Sequence, residues 1–192
     1  MKKIVLASSS LYRQQQLKIL GLTFESQNPL IDEDFEKNKN CSLNPSVLAL
    51  RLSYLKASSV AKEDQITIGG DQLVHLHNEI LGKAGTREKA ILQLMKLQGQ
   101  THELITALTV LDGAYQEDIL NITKIKIKPL RRAQIESYVD LDSPWDCAGS
   151  YKMEAHGIQI IETIESTDPT AIQGIPLLGL SKILEKYGIF IP

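Results

Sequence analysis

The sequence predicts a mixed α/β fold, a twisted sheet with flanking helices. Three observations carry that expectation. Short apolar strand-like runs alternate with amphipathic helical stretches along most of the 192 residues. Asp112-Gly113, between two long strand-like runs, is a strong hairpin signal. No internal repeat, low-complexity tract or linker interrupts the order, so long hairpins and helices belong to one mixed architecture. The length suits one compact domain over residues 1–192 with a sizeable core.

Element by element, Ile4–Ala7 reads as a short buried strand, and Ser8-Ser9-Ser10 follows at once. Leu11, Gln15, Leu17 and Leu20 indicate a helix over Leu11–Leu20 with Arg13 in its first turn, and a short strand lies near Phe24. Strand, serine loop and helix start make a ready anion site, because hydroxyls and free helix N–H groups point one way. Arg13 adds a planar fork for two phosphate oxygens. Helix capping alone also explains serines there. Ile31-Asp32-Glu33-Asp34 reads as a solvated acidic loop, or as the source of a carboxylate that holds a hard divalent cation beside Asp71. Asn44-Pro45 opens a helix to Ala61 whose apolar face is Leu48, Leu52 and Leu55. Lys56 flanks that stripe; such a lysine normally snorkels to water, and a functional role needs it to line a cleft.

Ile68 to Lys83 is the most informative stretch. Strand Ile66–Gly69 climbs into Gly69-Gly70 and meets a lone carboxylate, Asp71, before a continuation over Gln72–His77. An acid there is either a turn residue or a group placed for chemistry at a strand end. As a cleft acid it would contribute little packing, so Asp71→Asn is expected to leave the melting temperature nearly unchanged. Lys83, returned by the next turn, supplies a point charge suited to phosphate.

Thr86 caps a helix to about Leu97, with Ala90, Ile91, Leu94 and Met95 inward. Glu103–Leu111 and Tyr115–Lys128 form the hairpin strands. Along Lys124–Lys128 the isoleucines face the core and the lysines face water, a solvated strand face rather than a nucleotide site. A short helix from about Arg132 to Val139, strand Ile158–Thr163 and a helix over Leu177–Tyr187 complete the chain.

Composition excludes other classes. A net charge of −2 gives no reason to expect nucleic-acid or anionic-membrane binding. No apolar run approaches the length of a membrane span, and the N-terminus lacks a signal-peptide pattern. Cys41 and Cys147 are too few for a disulfide framework or zinc site, so a reducing cytoplasm is expected. His75 and His77 alternate on one strand face, while His102 and His156 stand alone, so a histidine metal site lacks its cluster.

Together these segments resemble the Maf family of nucleoside triphosphate pyrophosphatases. Leu6-Ala7-Ser8-Ser9-Ser10-Leu11-Tyr12-Arg13 is similar to its L-A-S-x-S-P-x-R opening, Ile31-Asp32-Glu33 to its acidic loop, and Leu52–Ala57 to its lysine helix. Gly69-Gly70-Asp71-Gln72 with Leu81-Gly82-Lys83 is similar to its central signature. Trp145–Glu154 and Gly174-Ile175-Pro176-Leu177 match the late motifs. Leu11 in place of proline, Gln14 in place of a second base, Ser53 in place of alanine and Ala84 in place of proline are departures. They bear on local rigidity and affinity rather than on any group assigned to chemistry.

The resemblance implies two lobes around a central cleft, as in inosine triphosphate pyrophosphatase-like folds. It implies a hydrolase that cleaves a nucleoside triphosphate between its α and β phosphorus atoms, with Mg or Mn as cofactor. Such chemistry needs cations around the phosphates and a base for water. Ser8, Ser10, Arg13, Lys56 and Lys83 suit the phosphates, Glu33 with or without Asp71 the metal, and Asp71 resembles the family's proton acceptor. The Cys147–Glu154 block looks like the branch acting on 7-methyl-GTP, whose specificity positions fall on Tyr12, Gln72 and Glu154. Tyr12 would stack on the cationic base, and Glu154 would accept from N1–H and the 2-amino group. Without that motif Glu154 is equally a surface acid. A dTTP/UTP pyrophosphatase of the sister branch and a non-catalytic cell-division regulator are the alternatives. The partner expected is a small nucleotide, with no stable nucleic acid and no membrane; a homodimer is left open.

Overall fold

Six α-helices and seven strands make up residues 2–189, those described by the computed structural model. In order they are β1 (Lys3–Ala7), α1 (Leu11–Ile19), β2 (Glu25–Gln27), α2 (Glu33–Lys39), α3 (Pro45–Ser58), β3 (Gln65–Leu76), β4 (Glu79–Leu81), α4 (Arg87–Leu97), β5 (Thr101–Asp112), β6 (Tyr115–Ile127), α5 (Arg132–Asp142), β7 (Ile161–Glu165) and α6 (Leu177–Lys186). The strand order is β2-β1-β3-β5-β6-β7, with β4 on β3. β1 runs parallel to β2 and β3, whereas β3–β4 and β6–β7 are antiparallel, so the sheet is mixed. Parallel neighbours need a crossover, and α1, α2 and α3 lie along the one from β1 to β3. The α/β expectation with flanking helices holds.

The chain forms two compact units. One comprises Met1–Gln72, Thr106–Asn121 and Asp168–Pro192; the other comprises Leu73–Ile105 and Ile122–Thr167. In the first, Ile4, Leu6, Leu17, Ile66, Ile68, Leu108, Val110, Ile175 and the Leu177, Leu180, Ile183, Leu184 stripe of α6 close one core. Each such aliphatic side chain contributes about 1.5–3 kcal/mol on burial. Gln16 is buried in the same unit although polar. Its amide donates to Thr170 O at 2.6 Å and its carbonyl accepts from Ile175 N at 2.9 Å, tying α1 to the 3-10 turn Pro169–Gln173 and the loop after it. In the second unit, α4 packs on α5, with Ala90, Ile91, Leu94 and Leu97 facing inward. Among the described residues no helix is long and apolar enough to cross a membrane.

Several local expectations change. Asp32-Glu33-Asp34 is not a loop: Asp32 accepts from Phe35 N at 2.9 Å and caps α2. The strands on either side of Gly69-Gly70 are one continuous β3, because neither glycine takes a positive φ and Gly69 keeps register with Ala7 of β1. β3 stops at Leu76, since His77 has a φ of 55°; His75 and His77 therefore share no strand face. Met95 is half-buried, and Leu97 takes the inward position assigned to it. Ile158–Thr163 splits into a 3-10 turn, Gly157–Ile160, followed by β7. The Asp112-Gly113 hairpin and the inward Ile125 and Ile127 stand as read.

Candidate active site

The first unit gathers three charged groups around one buried carboxylate. β3 carries Asp71 two residues past Gly69, and Gly69 sets how near α3 can come. A Cβ there would lie 2.3 Å from Ser53 O and 2.5 Å from Ala57 N, so only glycine permits this approach of helix to strand. The close packing brings Lys56 of α3 inward. Its ammonium donates to Asp71 Oδ1 at 2.7 Å and lies 3.0 Å from Glu33 Oε1 at the start of α2. The Lys56 and Asp71 side chains are 6% and 4% exposed. Lys56 therefore does not snorkel to water; the buried acid holds it. Ser53, the departure from alanine on this helix, is fully buried and shares a hydrogen bond of 2.9 Å with Thr109 Oγ1.

Asp71 is 3% exposed, and its second oxygen, Oδ2, is buried without a hydrogen-bond partner. An orphaned carboxylate oxygen costs free energy unless a ligand or proton satisfies it. That burial, with the Lys56 pair, also corrects the expectation that Asp71→Asn leaves the melting temperature unchanged.

Arg13 completes the group. Its Nε donates to Gly174 O at 3.2 Å, and a Cβ on Gly70 would lie 3.4 Å from the same nitrogen. Burial holds the guanidinium pKa below its ordinary value, opposed by the charges of Asp71 and Glu33. The pairing of Ala7 with Gly69 starts the serine loop beside the two glycines. Ser8 Oγ accepts from Ser10 N at 3.1 Å, and Ser10 caps α1 by accepting from Arg13 N at 3.5 Å. The serines are thus caps as well as candidates for an anion. Leu11, the departure from proline, is 68% exposed and disturbs nothing. Tyr12 is half-buried in the first turn of α1. Gln72 donates through its amide nitrogen to Thr106 Oγ1 at 2.9 Å and Ala171 O at 3.0 Å, which leaves its carbonyl oxygen for a ligand.

The second unit carries Lys83 and Glu154. Lys83 is exposed and pairs through its backbone with Ala148, joining the Leu81-Gly82-Lys83 segment to the Cys147–Ser150 turn. Gly149 and Ser150 both have positive φ, and a Cβ on Gly149 would meet Tyr151 Cε1 at 2.8 Å. Tyr151 is buried, its hydroxyl 3.0 Å from His102 Nε2. Lys152 N donates to Tyr138 OH at 2.9 Å, and Lys152 Nζ lies 3.0 Å from Asp146 Oδ1. Glu154 is exposed, yet its carboxyl is partly desolvated. That desolvation pushes its carboxyl up, partly offset by a backbone hydrogen bond and Lys152.

Long-range partners outside the sequence reading also matter. His102 is not alone: burial pushes its imidazole down to about 4, and it anchors the Tyr151 loop. His156 pairs with Asp142 at 2.6 Å. Asp168 accepts from Thr170 and from Leu178 N at 2.9 Å, capping both the 3-10 turn and α6. Period-based reading has no signal for such long-range partners. Burial pushes the Cys147 thiol up to about 12, and both cysteines are free.

Among the described residues, no group of three or more His, Cys, Asp and Glu side chains gathers to hold a metal. Two carboxylates converge, however, and the unpartnered Asp71 Oδ2 is a hard oxygen donor. One or two carboxylates completed by substrate phosphates is how magnesium is usually held, so Glu33 and Asp71 fit that ion.

The chain is 53% identical over 185 residues, 96% of its length and 97% of the relative's, to a Bdellovibrio bacteriovorus protein named 7-methyl-GTP pyrophosphatase. It is 43% identical to one of the same name from Thiobacillus denitrificans, covering 97% of this chain and 92% of that one. A third, from Xanthomonas axonopodis pv. citri, is 38% identical over the full length of both. Residues 3–187 match the family model described as Maf-like protein. With that match and the ordered motifs around Arg13, Lys56 and Asp71, the chain belongs to the Maf-like protein family.

Proposed function

We propose that this protein is a nucleoside triphosphate pyrophosphatase that hydrolyses 7-methyl-GTP to 7-methyl-GMP and diphosphate, removing a modified nucleotide. The observation that carries the reading is the buried Asp71, one oxygen held by Lys56 and the other unpartnered, beside Arg13 and Glu33. The substrate rests on full-length relatives named for 7-methyl-GTP. A cell-division scaffold has no physical need for a buried acid with an unsatisfied oxygen.

In this reading Asp71 Oδ2 accepts the proton of the attacking water, and in the nucleotide-free protein the Lys56 bond to Oδ1 fixes the carboxylate's orientation. Arg13, free to present its terminal nitrogens because Nε is anchored on Gly174, binds phosphate oxygens along with Lys56, the Ser8 and Ser10 loop and Lys83. Glu33 and Asp71 would hold a divalent cation, Mg or Mn, which would screen phosphate charge and make water more acidic. Glu154 accepts from the N1–H and 2-amino group of the methylated base, Tyr12 stacks on its cationic face, and Gln72 offers its carbonyl oxygen. Two isolated free thiols are compatible with a reducing cytoplasm as the working compartment.

The test is product analysis across 7-methyl-GTP, GTP, dTTP and UTP with added Mg or Mn, for the wild type and Glu154→Gln. The wild type should favour 7-methyl-GTP and release pyrophosphate. Glu154→Gln places a donor against a buried donor, a mispairing of about 1–3 kcal/mol, so kcat/KM for 7-methyl-GTP should fall roughly tenfold or more. Pyrimidine triphosphates should lose less. Wild-type preference for dTTP would move the protein to the sister branch, and orthophosphate as primary product would reject pyrophosphatase chemistry.

A further inference from the structure

Lys56 stands in the place where a cation would bridge the two acids. Its ammonium touches Asp71 Oδ1 at 2.7 Å and Glu33 Oε1 at 3.0 Å, so both carboxylates already point at one positive charge. The lysine is buried among them, and the Arg13 guanidinium adds further positive charge to Asp71 and Glu33. A divalent ion held by both acids would lie near this ammonium, where the burial of Lys56 and Asp71 leaves little solvent to screen the repulsion. Asp71 Oδ2 is nevertheless unsatisfied and buried, a donor that one ammonium does not reach. The site thus has carboxylate capacity for a metal and a resident charge that opposes it.

We propose that Lys56 is the internal counter-ion of the Glu33–Asp71 pair and excludes the divalent cation until nucleotide phosphates draw the ammonium away. The inference rests on the metal reading above and adds an order of binding to it. In the nucleotide-free protein, Lys56 neutralises the acids and the metal binds weakly. When a triphosphate occupies the site, its oxygens offer Lys56 a new anionic partner, and the carboxylates then accept the metal that accompanies the phosphates. Metal and nucleotide therefore strengthen each other's binding reciprocally. The same exchange protects Asp71: it is never left as an unpaired buried carboxylate, since either lysine or metal faces it.

Mn²⁺ binding to the nucleotide-free protein, followed by the electron paramagnetic resonance of free Mn²⁺, tests this without turnover. Lys56→Met keeps the buried stem and removes the charge; Lys56→Gln retains a donor toward Asp71 and also lacks charge. Both variants should bind Mn²⁺ about tenfold more tightly than the wild type or better, within the roughly 5–150-fold range of site–site coupling. Mn²⁺ should also raise their melting temperatures more than that of the wild type. Adding Glu33→Gln to Lys56→Met should abolish the gain. Equal Mn²⁺ affinity in wild type, Lys56→Met and Lys56→Gln overturns the exclusion; if Glu33→Gln still weakens Mn²⁺ there, the metal site itself stands. Should none of these proteins take up Mn²⁺, both the exclusion and the metal site are wrong.

Discussion

Asp71→Asn removes the charge that faces a buried ammonium, so it should cost stability as well as turnover. The pair is 2.7 Å apart, with side chains 6% and 4% exposed. Deleting one partner of such a pair strands the other and costs about 3–5 kcal/mol. Two features soften that. Glu33, 38% exposed, still lies 3.0 Å from Lys56, and asparagine keeps an oxygen that accepts a hydrogen bond. The expected loss is then about 2–3 kcal/mol, which for a chain of this size lowers Tm by about 4–12 °C. Turnover should drop by roughly 10²–10⁴ if Asp71 is the base. Calorimetry and kinetics on Asp71→Asn, Lys56→Met and the double variant separate the two effects. The double variant, having neither charge buried, should melt above Asp71→Asn alone, although both variants lack the base and turn over slowly. A single Asp71→Asn melting within about 1 °C of wild type would refute the buried-pair argument. Near-wild-type kcat would refute the base assignment.

Two predictions follow from the scaffold. Gly69→Ala places a methyl 2.3 Å from Ser53 O, a backbone atom that cannot swing aside; overpacking of about 1–3 kcal/mol should lower the urea midpoint and loosen Lys56, and an unchanged midpoint would refute the tight contact of α3 with β3. Burial holds the His102 imidazole at about 4, below its ordinary 6.5, so on acidification the unfolded chain takes the proton first. The neutral His102 contribution is whole above pH 6.5 and is lost as pH falls from about 6.5 to about 4, an amount on the order of 3 kcal/mol. His102→Phe should flatten that part of the stability–pH curve, and parallel curves for the two proteins would rule the assignment out.

The sequence showed the fold wherever one local signal sufficed. Alternation along Lys124–Lys128, the Asp112-Gly113 turn and the Thr86 cap each act within a few residues, and each is found in place. It misled where two local signals competed. Asp32-Glu33-Asp34 carries loop charge and also an N-cap followed by acids in a first helical turn, and the cap won because Asp32 reaches Phe35 N. Gly69-Gly70 looked like a strand end because glycine marks breaks; here it marks a helix pressed against a strand, which no window on β3 alone contains. For the site, the residue types at Arg13, Lys56 and Asp71 were legible as phosphate and acid chemistry. Which of them touch was not, since Lys56 and Asp71 are 15 positions apart and on different elements. His102, Gln16 and Asp168 gave no signal, because their partners lie 49, 154 and 10 residues away.

The buried pair also explains why Gly69 and Lys56 belong to one device. Were any side chain present at position 69, α3 would ride higher on β3 and the Lys56 ammonium would end nearer water. There it would be screened, would hold Asp71 weakly, and would leave a carboxylate to be desolvated alone beneath it. With glycine, the helix closes until lysine and acid meet at 2.7 Å, and the acid's second oxygen is left inside with nothing to bond. A network built for stability alone would place a protein donor against that oxygen, because a satisfied network is worth more than a half-satisfied one. Leaving Oδ2 open sacrifices stability at the one atom that the proposed chemistry needs for a proton, which is where a strained or unsatisfied group is expected in an enzyme.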